Sequence, residues 1–234
     1  MSCHAIRHGL LGKGKMNKPN LEDETLIRLR KEIDGLDQAI LDALEARDRL
    51  VREVGAVKSS KRVFRAGREA DLIENLIRRS SLDPYTVEVI WRQIIAASLN
   101  RQAPLTIAVT NRAQQFEVAR FRFGAAQYKT CDTAIEVLEA VGSGDVDLGV
   151  LPHWAQSEWW RDLARLHDNG HKVYISAITP HAETSGLEKG VIIAPYLPDP
   201  SAQDVSLVHQ DGALTEKPGY HPDHSGLLGI FQQH

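Results

Sequence analysis

Two cations on one predicted helix have a spacing that suggests ligand chemistry. Arg47 falls on an a position of a heptad pattern, where an aliphatic side chain is expected. Burying an unpaired guanidinium there is costly, so the position favours an anionic ligand or local exposure. Lys58 follows eleven residues later, nearly three whole turns, and the two cations then point the same way about 16 Å apart along the axis. Such a pair can hold opposite ends of a small dianion.

Arg30 is a third candidate, but it lies too far away on the same helix. It precedes Lys58 by twenty-eight residues, or about 42 Å along a straight helix. We expect it to reach the same ligand only from an antiparallel copy of the helix in a second subunit.

A single long helix over residues 26–57 positions these cations. The apolar side chains follow a three-four rhythm and, at about 1.5 Å per residue, the helix spans roughly 50 Å. It cannot bury its stripe against its own short chain, so we predict a homodimer. The stripe consists of Leu26, Leu29, Ile33, Leu36, Ile40, Ala43, Leu50, Val54 and Val57.

Two shorter helices follow, over residues 68–77 and 84–101. Asp83 and Pro84 form a start signal for the latter, with a carboxylate at the N-cap and proline at the first helical position. Taken singly, the polar residues of all three helices have ordinary interpretations as solvated charges or as small residues between helices.

Arg68 and Glu69 lie at the start of the second helix, and Ser98 and Gln102 lie four residues apart on one face of the third. Together with the cations, these residues resemble the all-helical class of chorismate mutases, especially the N-terminal mutase domain of bifunctional chorismate mutase-prephenate dehydratases. The resemblance covers about eighty residues. It is carried by residues 29–37 (LRKEIDGLD), Arg47, residues 54–58 (VGAVK), Arg68-Glu69, residues 94–98 (IIAAS) and Gln102.

The resemblance implies a role for each cation and for Gln102. Arg30 would enter from the neighbouring subunit to meet one carboxylate of chorismate, and Arg47 would hold the other. Lys58 and Gln102 would donate to the ether oxygen of the breaking bond.

The resemblance also implies that Glu69 accepts the ring hydroxyl, while Arg68 and Ser98 complete the substrate pocket. One departure concerns this part of the pocket. Many relatives have an aspartate shortly before the Arg-Glu pair, whereas this chain has Arg65 and a shorter loop. Contact with the hydroxyl would then depend on Glu69 alone.

The implied function is the Claisen rearrangement of chorismate to prephenate in phenylalanine and tyrosine biosynthesis, without cofactor or metal. Such a reaction needs a folded substrate conformer and donors aimed at the ether oxygen, which cations and an amide supply. Two alternatives stay open: an isochorismate-pyruvate lyase of the same fold, and a non-catalytic regulatory subunit that senses chorismate or an aromatic metabolite.

The expected fold class is α plus α/β: a three-helix mutase domain forming an intertwined helical dimer over residues 21–102, then a smaller α/β domain over residues 103–198. The pattern predicts strands at 105–109, 146–151, 173–178 and 191–194, and helices at 114–123, 132–141 and 158–167. Residues 144–152 (GDVDLGVLP) resemble part of a prephenate dehydratase lobe, but the Thr-Arg-Phe signature of dehydratases is absent. We therefore expect no dehydratase activity.

Residues 199–234 are expected to be mostly irregular, with order only at 205–208, and residues 1–20 to be a disordered leader with its start at Met1 or Met16. A net charge of −3 gives no reason to expect nucleic-acid binding. No run approaches the roughly 20 apolar residues of a membrane span, and two distant cysteines favour a cytoplasmic location. His221 and His224 are not expected to bind metal, because Pro222 lies between them.

Overall fold

The computed structural model describes residues 21–57, 64–181 and 186–232. Three helices precede the first strand, and strands and helices alternate after it, which confirms a helical part followed by an α/β part. The elements, in chain order, are α1 (Leu21–Val57), α2 (Ala66–Arg79), α3 (Pro84–Gln102), β1 (Thr106–Thr110), α4 (Ala113–Phe123), β2 (Gln127–Cys131), α5 (Ala134–Ser143), β3 (Leu148–Pro152), α6 (Trp160–Asp168), β4 (Tyr174–Thr179), β5 (Gly190–Ala194), β6 (Asp204–Gln210), β7 (Ala213–Pro218) and β8 (Leu227–Gln232).

Helix α1 is continuous over 37 residues, as the heptad rhythm predicts. The chain divides into two compact units inside this helix, Met1–Leu50 and Val51–His234. In the first unit the apolar stripe is exposed to solvent: Ile33 is 54% exposed and Leu36 is 65% exposed. Among the described residues, no helix is long and apolar enough to cross a bilayer.

The second unit is built on one mixed sheet of eight strands in the described chain, in the order β2-β1-β3-β5-β4-β8-β6-β7. Strand β1 pairs in parallel with β2 and β3, and β5 is antiparallel to β3 and β4. Strand β8 is parallel to β4 and antiparallel to β6, so it joins the two halves of the sheet. A Cβ on Gly229 of β8 would lie 2.2 Å from the Ile175 carbonyl oxygen, so this close approach requires glycine.

Both faces of the sheet are covered. Neighbouring residues of a strand point to opposite faces, and accordingly Ala108 belongs to one apolar cluster and Ile107 to another. The first cluster includes Leu138 of α5 and Leu163 of α6. The second joins the sheet to helices α2, α3 and α4, so the helices after residue 64 share a core with the strands.

Helix α3 begins as predicted, because the Asp83 side chain accepts a hydrogen bond from the Thr86 N–H at 2.9 Å and Pro84 occupies the first turn. Helix α2 is longer than predicted at both ends. Strand β2 was not predicted; it is a largely exposed strand at the edge of the sheet and lacks an apolar run.

The expectation of an irregular segment after residue 198 is wrong. Three strands, β6 to β8, occupy it and extend the α/β part to Gln232, so that part is larger than expected. Most of the Gly, Pro, Asp and His residues that suggested irregular chain lie between the strands. Gly212, Gly219 and Gly226 have φ values of +79°, +101° and +77°, which glycine adopts readily. The predicted leader, residues 1–20, lies outside the described residues.

Candidate functional site

The two predicted substrate-binding arginines of the first unit lie on one helix. Arg30 is exposed, whereas Arg47 is half-buried. Burial lowers the pKa of Arg47, and the nearby Asp48 carboxylate opposes that shift. The partial burial agrees with the costly heptad position that first distinguished Arg47.

Lys58, the predicted donor to the ether oxygen, lies outside the described residues. Gln102, its predicted partner, is the last residue of helix α3. A Cβ added at Gly55 of α1 would lie 3.6 Å from Cγ of Gln102, so the two residues are neighbours. Gly55 precedes Lys58 by three residues in the sequence.

Ser98 lies one turn before Gln102 on helix α3 and is half-buried. Its hydroxyl donates to the Ile94 carbonyl oxygen at 2.8 Å. The hydroxyl of a serine within a helix commonly donates to the carbonyl oxygen one turn earlier. Its predicted place in the substrate pocket stays a prediction.

Arg68 and Glu69 are adjacent on helix α2 but face different environments. Arg68 is exposed, whereas Glu69 is 7% exposed. The Glu69 carboxylate forms an ion pair with Arg122 of helix α4, with 2.6 Å between Oε2 and Nη2. The same Oε2 lies 3.8 Å from Nη1 of Arg92 on helix α3. The structure therefore places Glu69 between two guanidinium groups.

A second carboxylate completes this buried cluster. Glu88 is fully buried and accepts a hydrogen bond from Nε of Arg92 at 3.1 Å, one turn away on the same helix. The backbone N–H of His181 donates to both oxygens of Glu88, at 2.8 and 3.0 Å. We define the buried cluster as Glu69, Glu88, Arg92 and Arg122, whose two positive and two negative charges balance.

The cluster perturbs its own members. Burial, followed by the positive charge of Arg122, lowers the pKa of Arg92 to about 10, although Glu88 and Glu69 oppose the shift. Arg92 therefore remains a cation at neutral pH. A cavity of about 10 Å³ borders Arg92 and Arg122, which is space for one water molecule and not for a substrate.

Arg65, the departure from the usual aspartate, has a structural role. Its Nε lies 2.5 Å from a carboxylate oxygen of Asp199. This hydrogen bond raises the pKa of Arg65. The Cβ position of Gly67 would lie 2.3 Å from the Asp199 carbonyl oxygen, so the start of helix α2 packs directly on this segment.

Glu88, Arg92 and Arg122 are the charged residues of the cluster that sequence reasoning missed. A signal existed for Arg92, because Glu88 precedes it by four residues within an apolar helix. Arg122 stands between Phe121 and Phe123, which is a weak indication of burial. Nothing in the sequence indicated that its partner would be Glu69.

Comparison with known proteins identifies the class to which the helical part is similar. Residues 29–103 match the family model of chorismate mutase type II. Individual relatives narrow this similarity to bifunctional enzymes. Three bifunctional chorismate mutase/prephenate dehydratases match, from Aquifex aeolicus (31% identical over 140 residues), Pseudomonas aeruginosa (29% over 143) and Stutzerimonas stutzeri (32% over 143). The resemblance expected from the sequence is thereby confirmed.

The matched regions cover 55–56% of this chain but only 39% of each of these relatives, so the chain spans about two fifths of their length. Two solved structures are similar at 14% identity. One is GqqA, described as a quorum quenching acylase, with a TM-score of 0.40 over 55% of this chain and 95% of that one. The other is a prephenate dehydratase from Streptococcus mutans, with a TM-score of 0.39 over 56% and 98%.

Proposed function

We propose that this protein is a chorismate mutase that rearranges chorismate to prephenate in aromatic amino acid biosynthesis. The observation that carries the proposal is the match of residues 29–103 to the chorismate mutase type II family. It includes every residue to which a role was assigned, from Arg30 to Gln102. We propose the same roles here: Arg30 and Arg47 bind the two carboxylates, and Lys58 and Gln102 donate to the ether oxygen.

The geometry of Gln102 supports this assignment. Its Cγ would lie 3.6 Å from a Cβ added at Gly55, so its side chain is a neighbour of a residue three positions before Lys58 in the sequence. Two donors that converge on one oxygen stabilise the negative charge that grows there as the bond breaks. Neither donor has to transfer a proton.

The second part of the pocket would be formed by Glu69 with Arg68 and Ser98. Both ion pairs of Glu69 end at Oε2. A carboxylate accepts at both oxygens, which leaves Oε1 for the ring hydroxyl.

The direct test is the loss of chorismate absorbance with purified protein, with prephenate identified as the product. Formation of salicylate and pyruvate from isochorismate, offered in a separate reaction, would instead identify the isochorismate-pyruvate lyase. Binding of chorismate without turnover would support the sensor. The relatives are named as bifunctional, so prephenate is offered as a substrate in a separate reaction; we expect no phenylpyruvate, since the Thr-Arg-Phe signature is absent from the sequence.

We propose a homodimer because the apolar stripe of helix α1 is exposed over its length. Leu36→Glu is expected to raise the dimer dissociation constant at least about 100-fold, because burial of each leucine contributes about 1.5–3 kcal/mol and the change occurs in both copies. Light scattering coupled to gel filtration measures the dissociation.

The matched control for the dimer is Gln38→Glu, which adds the same charge to the same helix outside the stripe. It should leave the dimer intact. Turnover should fall with dissociation in the Leu36 variant, because Arg30 would no longer reach a partner's substrate. A wild-type protein that is monomeric at micromolar concentration would contradict the prediction.

A further inference from the structure

Arg122 is a buried cation to which none of the proposed roles is assigned. Its side chain is 1% exposed, and its guanidinium carbon lies 5.2 Å from the centroid of the Phe64 ring and 5.6 Å from that of the Phe123 ring. The two rings meet edge to face, with centroids 5.8 Å apart. The guanidinium is therefore held by packing as well as by charge.

Glu69 is the acidic side chain with which Arg122 pairs in the described part of the chain. Within that part, Nε and Nη1 of Arg122 and Oε2 of Glu69 have no hydrogen-bond partner, so the two side chains form an ion pair without a hydrogen bond. Its 2.6 Å contact with Glu69 is thus the contact that compensates its charge. Such a pair places the carboxylate more firmly than an exposed ion pair would.

The pairing uses one oxygen of Glu69 only. Arg122 and Arg92 both approach Oε2, from helices α4 and α3. Attraction of Oε2 to two guanidinium groups, without a hydrogen bond to either, restricts rotation of the carboxylate and gives Oε1 a preferred direction. An acceptor fixed in this way loses less freedom when it receives a hydroxyl hydrogen bond.

We infer that Arg122 is a positioning residue for the mutase: it fixes the Glu69 carboxylate so that Oε1 is presented to the ring hydroxyl of chorismate. The inference rests on the proposed function and extends it. Arg122 lies on α4, outside the matched residues 29–103. A residue of the α/β part therefore acts on the substrate site through Glu69, which gives that part a role in the reaction.

A double-mutant cycle tests this inference. Arg122→Lys keeps the charge but loses the planar fork of the guanidinium. We expect it to lower kcat/KM about tenfold in the otherwise unchanged protein, and by less than about twofold when Glu69 is already Gln. The matched control is Arg120→Lys, which changes an exposed arginine on the same helix. It should leave kcat/KM unchanged both with Glu69 and with Glu69→Gln.

A purely structural role predicts a different result, because it would lower kcat/KM equally with Glu69 and with Glu69→Gln. Equal losses, or no loss at all, overturn the inference. Thermal unfolding is recorded for each variant, and rates are compared at a temperature where all are folded. If Arg122→Lys does not fold, Phe123→Leu, which removes one of the two rings beside the guanidinium, takes its place in the cycle.

The affinity for chorismate is measured by calorimetry in addition to turnover. The two measurements together distinguish a failure of the proposed mutase function from a failure of the proposed role of Arg122. Binding without turnover contradicts the proposed function, and the cycle is then evaluated on the dissociation constants. Turnover with additive losses contradicts only the role of Arg122. A protein that neither binds nor rearranges chorismate overturns both.

Discussion

Replacing Lys58 with alanine is expected to lower kcat for chorismate rearrangement about 10²- to 10³-fold. This is the range found when one donor to a developing oxyanion is removed, about 3–4 kcal/mol of barrier. The physical reason is that the ether oxygen gains negative charge as its bond breaks, so the proposed donor Lys58 would bind the transition state more strongly than the substrate. The measurement is steady-state kinetics by chorismate absorbance.

Lys61→Ala is the matched control for Lys58, since it removes the same charge three residues further along the chain. It should retain wild-type kcat. Gln102→Ala should lower kcat as well, because the glutamine amide is proposed to donate to the same ether oxygen. Circular dichroism and light scattering verify that each variant keeps its helices and its oligomeric state. Full turnover by a folded Lys58→Ala protein would show that the ether oxygen has another donor.

Replacing Glu88 with alanine is expected to lower the free energy of unfolding by about 3–5 kcal/mol, the usual effect of removing one partner of a buried ion pair. Glu88 is fully buried and accepts from both Arg92 Nε and the His181 N–H. The change would leave a buried guanidinium and a buried N–H without their acceptor. Because whole domains are stable by only about 5–15 kcal/mol, the variant should be close to unfolding.

Urea denaturation followed by circular dichroism measures this effect as a lower midpoint at an unchanged slope. Glu117→Ala, an exposed glutamate on α4, is the control and should stay within about 0.5 kcal/mol of the wild type. Glu88→Gln keeps an acceptor for His181 and should lose less than Glu88→Ala. If the free energy of unfolding of Glu88→Ala lies within about 1 kcal/mol of the wild-type value, the prediction is wrong, and water has replaced Glu88 as the partner of Arg92.

Helix α1 was predictable because its heptad rhythm repeats over many turns, and a periodic signal of this length has no competing interpretation. The start of α3 was predictable from two adjacent residues, Asp83 and Pro84. Strands β7 and β8 were not, for opposite reasons. Strand β7 is largely exposed at the edge of the sheet, so it carries polar residues, whereas β8 is a buried apolar strand that follows a turn rich in His and Pro.

The site residues on helices α1 to α3 were predictable from the resemblance alone, since each has an ordinary interpretation by itself. The buried cluster was not predictable, because its members come from distant parts of the chain. Glu69 and Arg122 are brought together only by the packing of α2 and α4 on the sheet. Pattern within one helix carries no information about such a pairing.

The division of the chain also differs from what local pattern suggested. Pro104 interrupts the helical pattern, and a domain boundary at residues 102–103 was predicted there. The described residues instead divide into compact units at Leu50, and the core of the second unit combines Ile73 and Leu99 with Ile107 and Val118. A proline ends a helix but does not end the packing of that helix on later strands. The separate mutase domain over residues 21–102 stays a prediction.

The position of β8 has a consequence for the folding of the newly synthesised chain. It is the last strand in the described part of the chain, yet it lies inside the sheet between β4 and β6. While the ribosome is still translating the codons before residue 227, β4 and β6 each have an edge whose backbone hydrogen-bonding groups await a partner. Unpaired strand edges of this kind promote association between nascent chains. Pairing of β8 therefore comes after the other described strands have been translated and joins sequence-distant segments, and slow folding at high expression should favour aggregation of this protein.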